Sequence, residues 1–245
     1  MVGNPKYQGP IKSLLTAVKE EVAILGPEKK HWFCGGIRSI AIAVNLLREK
    51  QIIAAPTDTI YGLVGLAQDN DTVNKIYEIK KRDTAKPLAI CVSSITDIKK
   101  WGLVENLPPK LLETLLPGPV TIVLKRTENL NPLLNPGTDK VGIRVPNDKF
   151  LRHVSKILDE PLALTSANES NKPSSLSAEE FANLWPQLGG IFYLQPNKKM
   201  TNEKKRVGST VVDLSEPGKF KVIRSGIAAG YVIMTLKRSG LTQVE

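Results

Sequence analysis

Sulfur and imidazole are scarce in this chain. Its 245 residues include two cysteines, Cys34 and Cys91, and two histidines, His31 and His153. That is too few for a structural zinc site or a disulfide framework. Cys91 lies in the apolar run PLAICV and reads as a buried small hydrophobe, so a reducing compartment is expected. Aromatic residues make up only 5% of the chain, which argues against a surface of interleaved stacking residues for single-stranded RNA. No stretch approaches the roughly 18 uncharged apolar residues that a membrane span needs. No arginine precedes Arg38, and Glu20 and Glu21 interrupt the N-terminal stretch, so support for a transit peptide is weak; no hydrophobic signal is visible. The expected location is cytoplasmic, with mitochondria open as a second one. Neither a Walker lysine loop nor a G-x-G-x-x-G fingerprint occurs, which argues against a standard P-loop or Rossmann nucleotide site.

What is present is ordinary globular material, 41% hydrophobic and 24% charged. Lysine and arginine (34) outnumber aspartate and glutamate (24), a formal net charge of +10. This biases the partners toward anions: nucleic acid, nucleotide phosphates or an acidic membrane surface.

Residues 1–36 carry Gly and Pro punctuation around IKSLLTAVKEEVAIL, whose Leu14, Leu15, Val18, Val22 and Leu25 have helical spacing; they read as an N-terminal extension. IRSIAIAVNLLREK places Ile37, Ile40, Val44 and Leu47 on one face of an amphipathic helix. IIAA (52–55), closed by Pro56, reads as a buried strand. Residues 71–82 read as a helix with Asp71 as N-cap and Val73, Ile76 and Tyr77 facing the core. PLAICVS, VTIVLK (120–125), VGIRV (141–145), LALTS (162–166), STVVDLS (209–215) and FKVIRS (220–225) read as strands. Ser177 and Glu180 form a capping box opening AEEFANLWPQL. Residues 189–207 read as irregular, their Lys-rich second half as a mobile surface loop. The alternation indicates an α/β fold around a mixed sheet, with one domain over 37–226 and a tail over 227–245.

Polar residues gather in the loops after the strands, where sites form in open α/β sheets. PTDTIYGL (56–63) follows IIAA, and SAN (166–168) follows LALT; each is either a turn closed by its own hydroxyls and carboxamide or a holder of ligand oxygens. In IKKRDTAKPLAI (79–90), helical register puts Lys80 on the apolar stripe and points Lys81 away. Lys80 must then snorkel out or reach a pocket beside the sheet. Arg82 sits in the turn, and Lys86 is held extended by Pro87. PGPVT (117–121) reads as a structural bend. Arg144 in GIRVP and Arg224 in VIRSG are charges within short apolar strands, and each needs a partner.

Taken in order, PTDTIYGL, Lys80-x-Arg82 with KPLAI, LLPGPVTIVL, GIRVP, LALTSAN, GSTVVDLS and VIR resemble the YrdC/Sua5 family over residues 37–226. SSLSAEEFANLWPQL and GSTVVDLSEPGKF are similar to its animal, single-domain members. The resemblance implies a twisted open mixed sheet of the YrdC/RibB-like type with flanking helices and a basic concave cleft. It implies an enzyme that joins L-threonine, bicarbonate or CO2, and ATP into L-threonylcarbamoyladenylate, releasing pyrophosphate. The product would serve the threonylcarbamoyladenosine modification of tRNA through a separate transfer complex. Carried over to this chain, Thr59, Arg144 and Thr210 would bind L-threonine. Lys80, Arg82, Lys86, Ser166, Asn168, Ser174 and Arg224 would bind ATP. No dedicated catalytic side chain is implied; Lys80 and Arg82 would position and stabilise charge. Mg2+ would accompany ATP, held mainly by phosphates, with no protein metal site. The chain departs from the family pattern at Asn171, where Gly is usual, in the Lys-rich NKKMTNEKKRV, and after Arg224. Two alternatives stay open: a non-catalytic module binding tRNA or double-stranded RNA, and a carbamoyl-adenylate enzyme with another substrate. Hydrogenase-maturation relatives carry Cys-rich zinc modules that this sequence lacks.

Overall fold

A computed structural model describes residues 13–18, 30–81, 87–195, 200 and 202–245. Among them, eleven strands form one sheet. In chain order they are β1 (His31–Phe33), β2 (Ile53–Pro56), β3 (Tyr61–Leu66), β4 (Ala89–Cys91), β5 (Val120–Lys125), β6 (Lys140–Arg144), β7 (Leu162–Ser166), β8 (Gly190–Tyr193), β9 (Thr210–Asp213), β10 (Lys219–Arg224) and β11 (Thr242–Gln243). Across the sheet the order is β1-β8-β2-β3-β7-β4-β6-β5-β9-β10-β11. The pairing is mixed: β2 and β7 flank β3 antiparallel, whereas β4–β6 and β5–β9 are parallel.

Strand alternation sends successive residues to two apolar layers. Ile53 and Ala55 join one layer and Ala54 the other; Val64 and Leu63 divide in the same way. One layer is covered by α1 (Gly36–Arg48) and α5 (Lys149–Leu158), the other by α2 (Asn70–Lys80) and the C-terminal α6 (Ala229–Arg238). The short α3 (Ile98–Trp101) and α4 (Leu111–Leu115) lie on the connection between β4 and β5.

Several elements differ from the sequence expectation for identifiable reasons. YGLVGL carries two glycines and reads poorly as a strand, yet β3 is central. A Cβ on Gly65 would lie 2.3 Å from Thr72 Cγ2 and 2.9 Å from Ile52 Cδ1, so the glycine lets α2 dock closely. The first residues of the segment expected to be irregular form β8, which pairs parallel with β1 and β2. The cap of α2 is Asp69, whose carboxylate accepts the Thr72 N–H at 2.9 Å; Asp71 pairs with Lys50 instead. On α1, Ile37 is exposed, while burial runs almost all round the helix from Ala41 to Leu47. The helical segment 13–18 covers it there, Leu15 and Val18 joining the core and the Leu15 carbonyl accepting from Asn45 Nδ2 at 2.8 Å.

The capping box is half made. Glu180 Oε1 accepts the Ser177 N–H at 3.3 Å, but Ala178 is the N-cap of a 3-10 helix, Glu179–Gln187, and no side-chain cap bond forms. That helix breaks at Phe181, which leaves helical geometry to bury its ring against Tyr61, 5.6 Å away. Residues 227–245, set apart in the sequence as a tail, carry α6 and β11; Val232, Leu236 and Leu241 belong to the same core as Phe220.

Candidate active site

The turn between β2 and β3 organises the first part of the site. Thr57 Oγ1 donates to the Ile60 carbonyl at 2.8 Å and accepts the Thr59 and Ile60 N–H groups at 3.1 and 3.2 Å. Thr57 therefore serves the turn itself, as an ST-type turn does. Thr59, fully buried, turns its hydroxyl to Arg144 at the end of β6: Arg144 Nη2 donates to Thr59 Oγ1 at 2.7 Å and to Asp58 Oδ1 at 2.5 Å. The Asn147 N–H holds the other oxygen of Asp58 at 3.0 Å. The Arg144–Asp58 pair is almost dry, with 6% and 11% side-chain exposure. Arg144 Nε is buried and has no hydrogen-bond partner among the described residues. A buried donor left unmade is costly, about 1–3 kcal/mol, and a ligand oxygen is the natural acceptor.

A second group lies at the start of β9. The buried Thr210 hydroxyl accepts the Ala228 N–H at 3.2 Å. Arg224 donates through Nη2 to the Ser209 carbonyl at 2.9 Å and to its hydroxyl at 3.1 Å. Gly226 is required here, because a Cβ would stand 2.3 Å from Thr210 N. Gly208 at φ +73° sits between Arg224 and Ile60, joining this group to the first turn.

Lys80, Ser166 and Asn168 are brought together as the third group. Lys80 is only 2% exposed, and its Nζ donates to the Ser166 carbonyl at 2.7 Å, the Asn168 carbonyl at 2.6 Å and Asn168 Oδ1 at 3.1 Å. Neutral oxygens of one turn thus accept from the buried ammonium. Lys81, in the left-handed C-cap of α2, is 77% exposed and pairs with Glu169 at 3.0 Å. Helical register separates the two lysines as expected. Asn168 Nδ2 donates to the Lys172 and Glu169 carbonyls at 2.5 and 2.9 Å. Asn171, where the family pattern has Gly, adopts φ +65°, the left-handed conformation that Asn tolerates. Arg82 and Lys86 lie outside the described residues.

The Lys-rich segment expected to be a mobile loop contributes an ordered 3-10 turn, Glu203–Val207, capped by Asn202. Arg206 donates to the Ser174 carbonyl at 2.7 Å and pairs with Glu180 at 2.5 Å and Glu203 at 2.9 Å. Lys205 Nζ donates to the Asp58 carbonyl at 3.2 Å. These bonds tie the first turn to the segment around Ser174 that follows β7. Sequence reasoning missed Asp58, Lys205 and Arg206 as site residues. The signal for Asp58 was its place between two threonines; Lys205 and Arg206 fell in the segment read as a mobile surface loop.

The resolved shifts at buried groups move away from neutral pH. Burial pushes the Tyr61 phenol and the Cys91 thiol each up to about 12. Both are neutral at physiological pH, and neither is a proton carrier there. The arrangement gathers oriented donors and hydroxyls, chemistry that suits positioning and charge stabilisation.

An open mixed sheet with flanking helices, whose strand-end turns gather hydroxyls, a buried guanidinium and a buried ammonium, defines the class of mixed α/β proteins to which this chain belongs. Within that class, the chain belongs to the Sua5/YciO/YrdC family, whose model, described as "Telomere recombination", matches residues 45–226. Threonylcarbamoyl-AMP synthase of Rattus norvegicus is 44% identical over 209 residues, covering 85% of this chain and 73% of the rat protein. The Homo sapiens enzyme of the same name is 44% identical over 207 residues, covering 84% and 72%. The crystal structure of P. abyssi Sua5 complexed with L-threonine superposes with a TM-score of 0.70 at 29% identity, covering 84% of this chain and 58% of that one.

Proposed function

We propose that this protein is a nucleotidyltransferase that forms L-threonylcarbamoyladenylate and pyrophosphate from L-threonine, bicarbonate or CO2, and ATP. One observation carries the reading: the buried guanidinium of Arg144 beside the Thr59 hydroxyl, with its Nε–H unpartnered. Such a donor suits a carboxylate oxygen. The names of the rat and human relatives, and L-threonine in the P. abyssi complex, supply the substrate.

In this mechanism Arg144 receives the threonine carboxylate, while Thr59 and Thr210 border the rest of the amino acid. The ATP phosphates lie over the Ser166–Asn168 turn, which Lys80 holds curled, with Ser174 and Arg224 beside it; by the family resemblance, Arg82 and Lys86 would bind the phosphates too. The neutral threonine nitrogen adds to the carbon of CO2 and loses one N–H proton to solvent, which yields a carbamate. A carbamate oxygen attacks the α-phosphorus; the bond from that phosphorus to the oxygen bridging to the β-phosphate breaks, and pyrophosphate leaves. Acceleration comes from alignment and charge neutralisation. Among the described residues no group of three His, Cys, Asp or Glu side chains is placed to hold a metal ion. Mg2+ would arrive with ATP, carried by phosphate oxygens and water, and supply further neutralisation of the phosphates. The adenylate then passes to a separate threonylcarbamoyl-transfer complex for tRNA modification, in the cytosol and, as a second location, in mitochondria.

The test is pyrophosphate release by the purified protein. Release is expected only when L-threonine and bicarbonate are both present. Turnover of ATP independent of both would overturn the reading.

A further inference from the structure

Asp58 is tied into the site at every oxygen it has. Oδ1 accepts from Arg144 Nη2 at 2.5 Å, Oδ2 from the Asn147 N–H at 3.0 Å, and its carbonyl from Lys205 Nζ at 3.2 Å. These donors come from the end of β6, the segment just beyond it and the Glu203–Val207 turn. The carboxylate is thus part of a frame and not a loose counter-ion.

Arg144 is the group this frame acts on. Its Nη2 carries two hydrogens, and both are used, one on Asp58 and one on Thr59 at 2.7 Å. Two in-plane bonds from one nitrogen set the plane of the guanidinium as well as its position. In that pose the Nε–H is left buried and unpartnered, a donor whose orientation is decided in advance. Thr57 gives its proton to the Ile60 carbonyl at 2.8 Å and its two lone pairs to the Thr59 and Ile60 N–H groups, so it is fully used by the turn. Arg144 presents its Nε–H beside the Thr59 hydroxyl, which suits a ligand with an anionic carboxylate.

We propose that Asp58 is the positioning residue for this pair: it holds Arg144 so that the Nε–H meets the substrate carboxylate, and it acts through Arg144 without touching substrate itself. The inference rests on the L-threonine reading above. A competing role, in which Asp58 merely stands in for the substrate carboxylate and is displaced by it, predicts the opposite sign. Removing a stand-in strengthens binding, whereas removing a positioning residue weakens it.

The experiment is calorimetric titration of L-threonine into the full chain as wild type, Asp58→Asn and Asp58→Glu, with melting temperature and KM for ATP measured alongside. Asp58→Asn is expected to weaken L-threonine binding by about tenfold or more. KM for ATP should stay within about twofold, separating the amino-acid side from the nucleotide side. Asp58→Glu, which keeps the charge but lengthens the arm, should recover part of the loss. If Asp58→Asn does not fold, Asp58→Glu decides by the same readouts, with intermediate weakening expected. Unchanged or tighter threonine binding in the variant that folds, or a parallel rise in KM for ATP, overturns the role of Asp58. A wild type that does not bind L-threonine overturns the substrate assignment instead, so the two failures are told apart.

Discussion

At the residue scale, Lys80 and Lys81 are adjacent in sequence and opposite in consequence. Lys80 supplies hydrogens to two backbone carbonyls and a carboxamide in the Ser166–Asn168 turn, while Lys81 meets solvent and Glu169. Changing Lys80 to Ala leaves those buried acceptors unsatisfied, and the expected loss of stability is about 2 kcal/mol or more. Lys81→Ala should stay within about 0.5 kcal/mol, as for an exposed pair. Urea melts of the two variants check this, and the pyrophosphate assay should follow the same order, with KM for ATP raised only in Lys80→Ala. Equal effects would contradict the placement of the two side chains. The register argument could be made from the sequence, because helix periodicity is local. The acceptors could not, since Ser166 and Asn168 come from a strand end more than eighty residues further along the chain.

At the element scale, two placements stand out. The Glu203–Val207 turn is clasped to the site through Arg206, which spans Glu180 and the Ser174 carbonyl. Arg206→Ala should open this clasp and quicken tryptic cleavage at Lys204 and Lys205, with little change in melting temperature because the turn carries no buried side chain. Cleavage at the wild-type rate would argue that the ion pair does not restrain the turn. Gly65 tests the packing of β3 on α2. A Cβ at this glycine would meet Thr72, Ile52 and Ile76 at 2.3, 2.9 and 3.2 Å, so Gly65→Ala should cost about 1–3 kcal/mol by overpacking, read from a denaturant melt. Neither feature shows in a local window. A KKR run reads as wet surface until a distant glutamate and carbonyl meet it, and a glycine in a strand reads as weakness until the helix above it is seen.

For the whole molecule, acid should act through the carboxylates tied to lysine. Burial works against ionising Asp213, but the Lys140 ammonium at 2.8 Å and the bonds from Ser215 hold its pKa below the usual 3.8. A carboxyl lowered on folding contributes stability that is present above its unfolded pKa and disappears as pH falls through the folded value. The Asp213–Lys140 contribution should therefore be complete above about pH 4 and fade below it. It is small because Lys140 is more than a third exposed. Asp213→Asn should flatten this acid limb in melts taken from pH 5 to pH 2. The net charge of +10 adds a second whole-molecule behaviour: any binding to tRNA or double-stranded RNA should fall steeply with salt. A titration at two salt concentrations separates such binding from pyrophosphate chemistry, which depends on threonine and bicarbonate.

Seven strands (β2, β4 to β7, β9 and β10), the register of α2 and the order of the motifs were determined by the sequence alone, because alternation, helical period and turn residues act over a few neighbours. That sufficed for the mixed α/β class and for the family. It also sufficed to single out Arg144 as a charge within an apolar strand and the PTDTIYGL and SAN turns as polar strand ends, while Thr59 and Thr210 were assigned by the family resemblance. Which of these groups touch was decided only in the tertiary structure. Asp58 and Arg144 lie 86 residues apart and become partners because β6 ends beside the turn between β2 and β3. The same closure strips water from Arg144, which gives its unpartnered Nε–H an energetic meaning that no stretch of sequence carries.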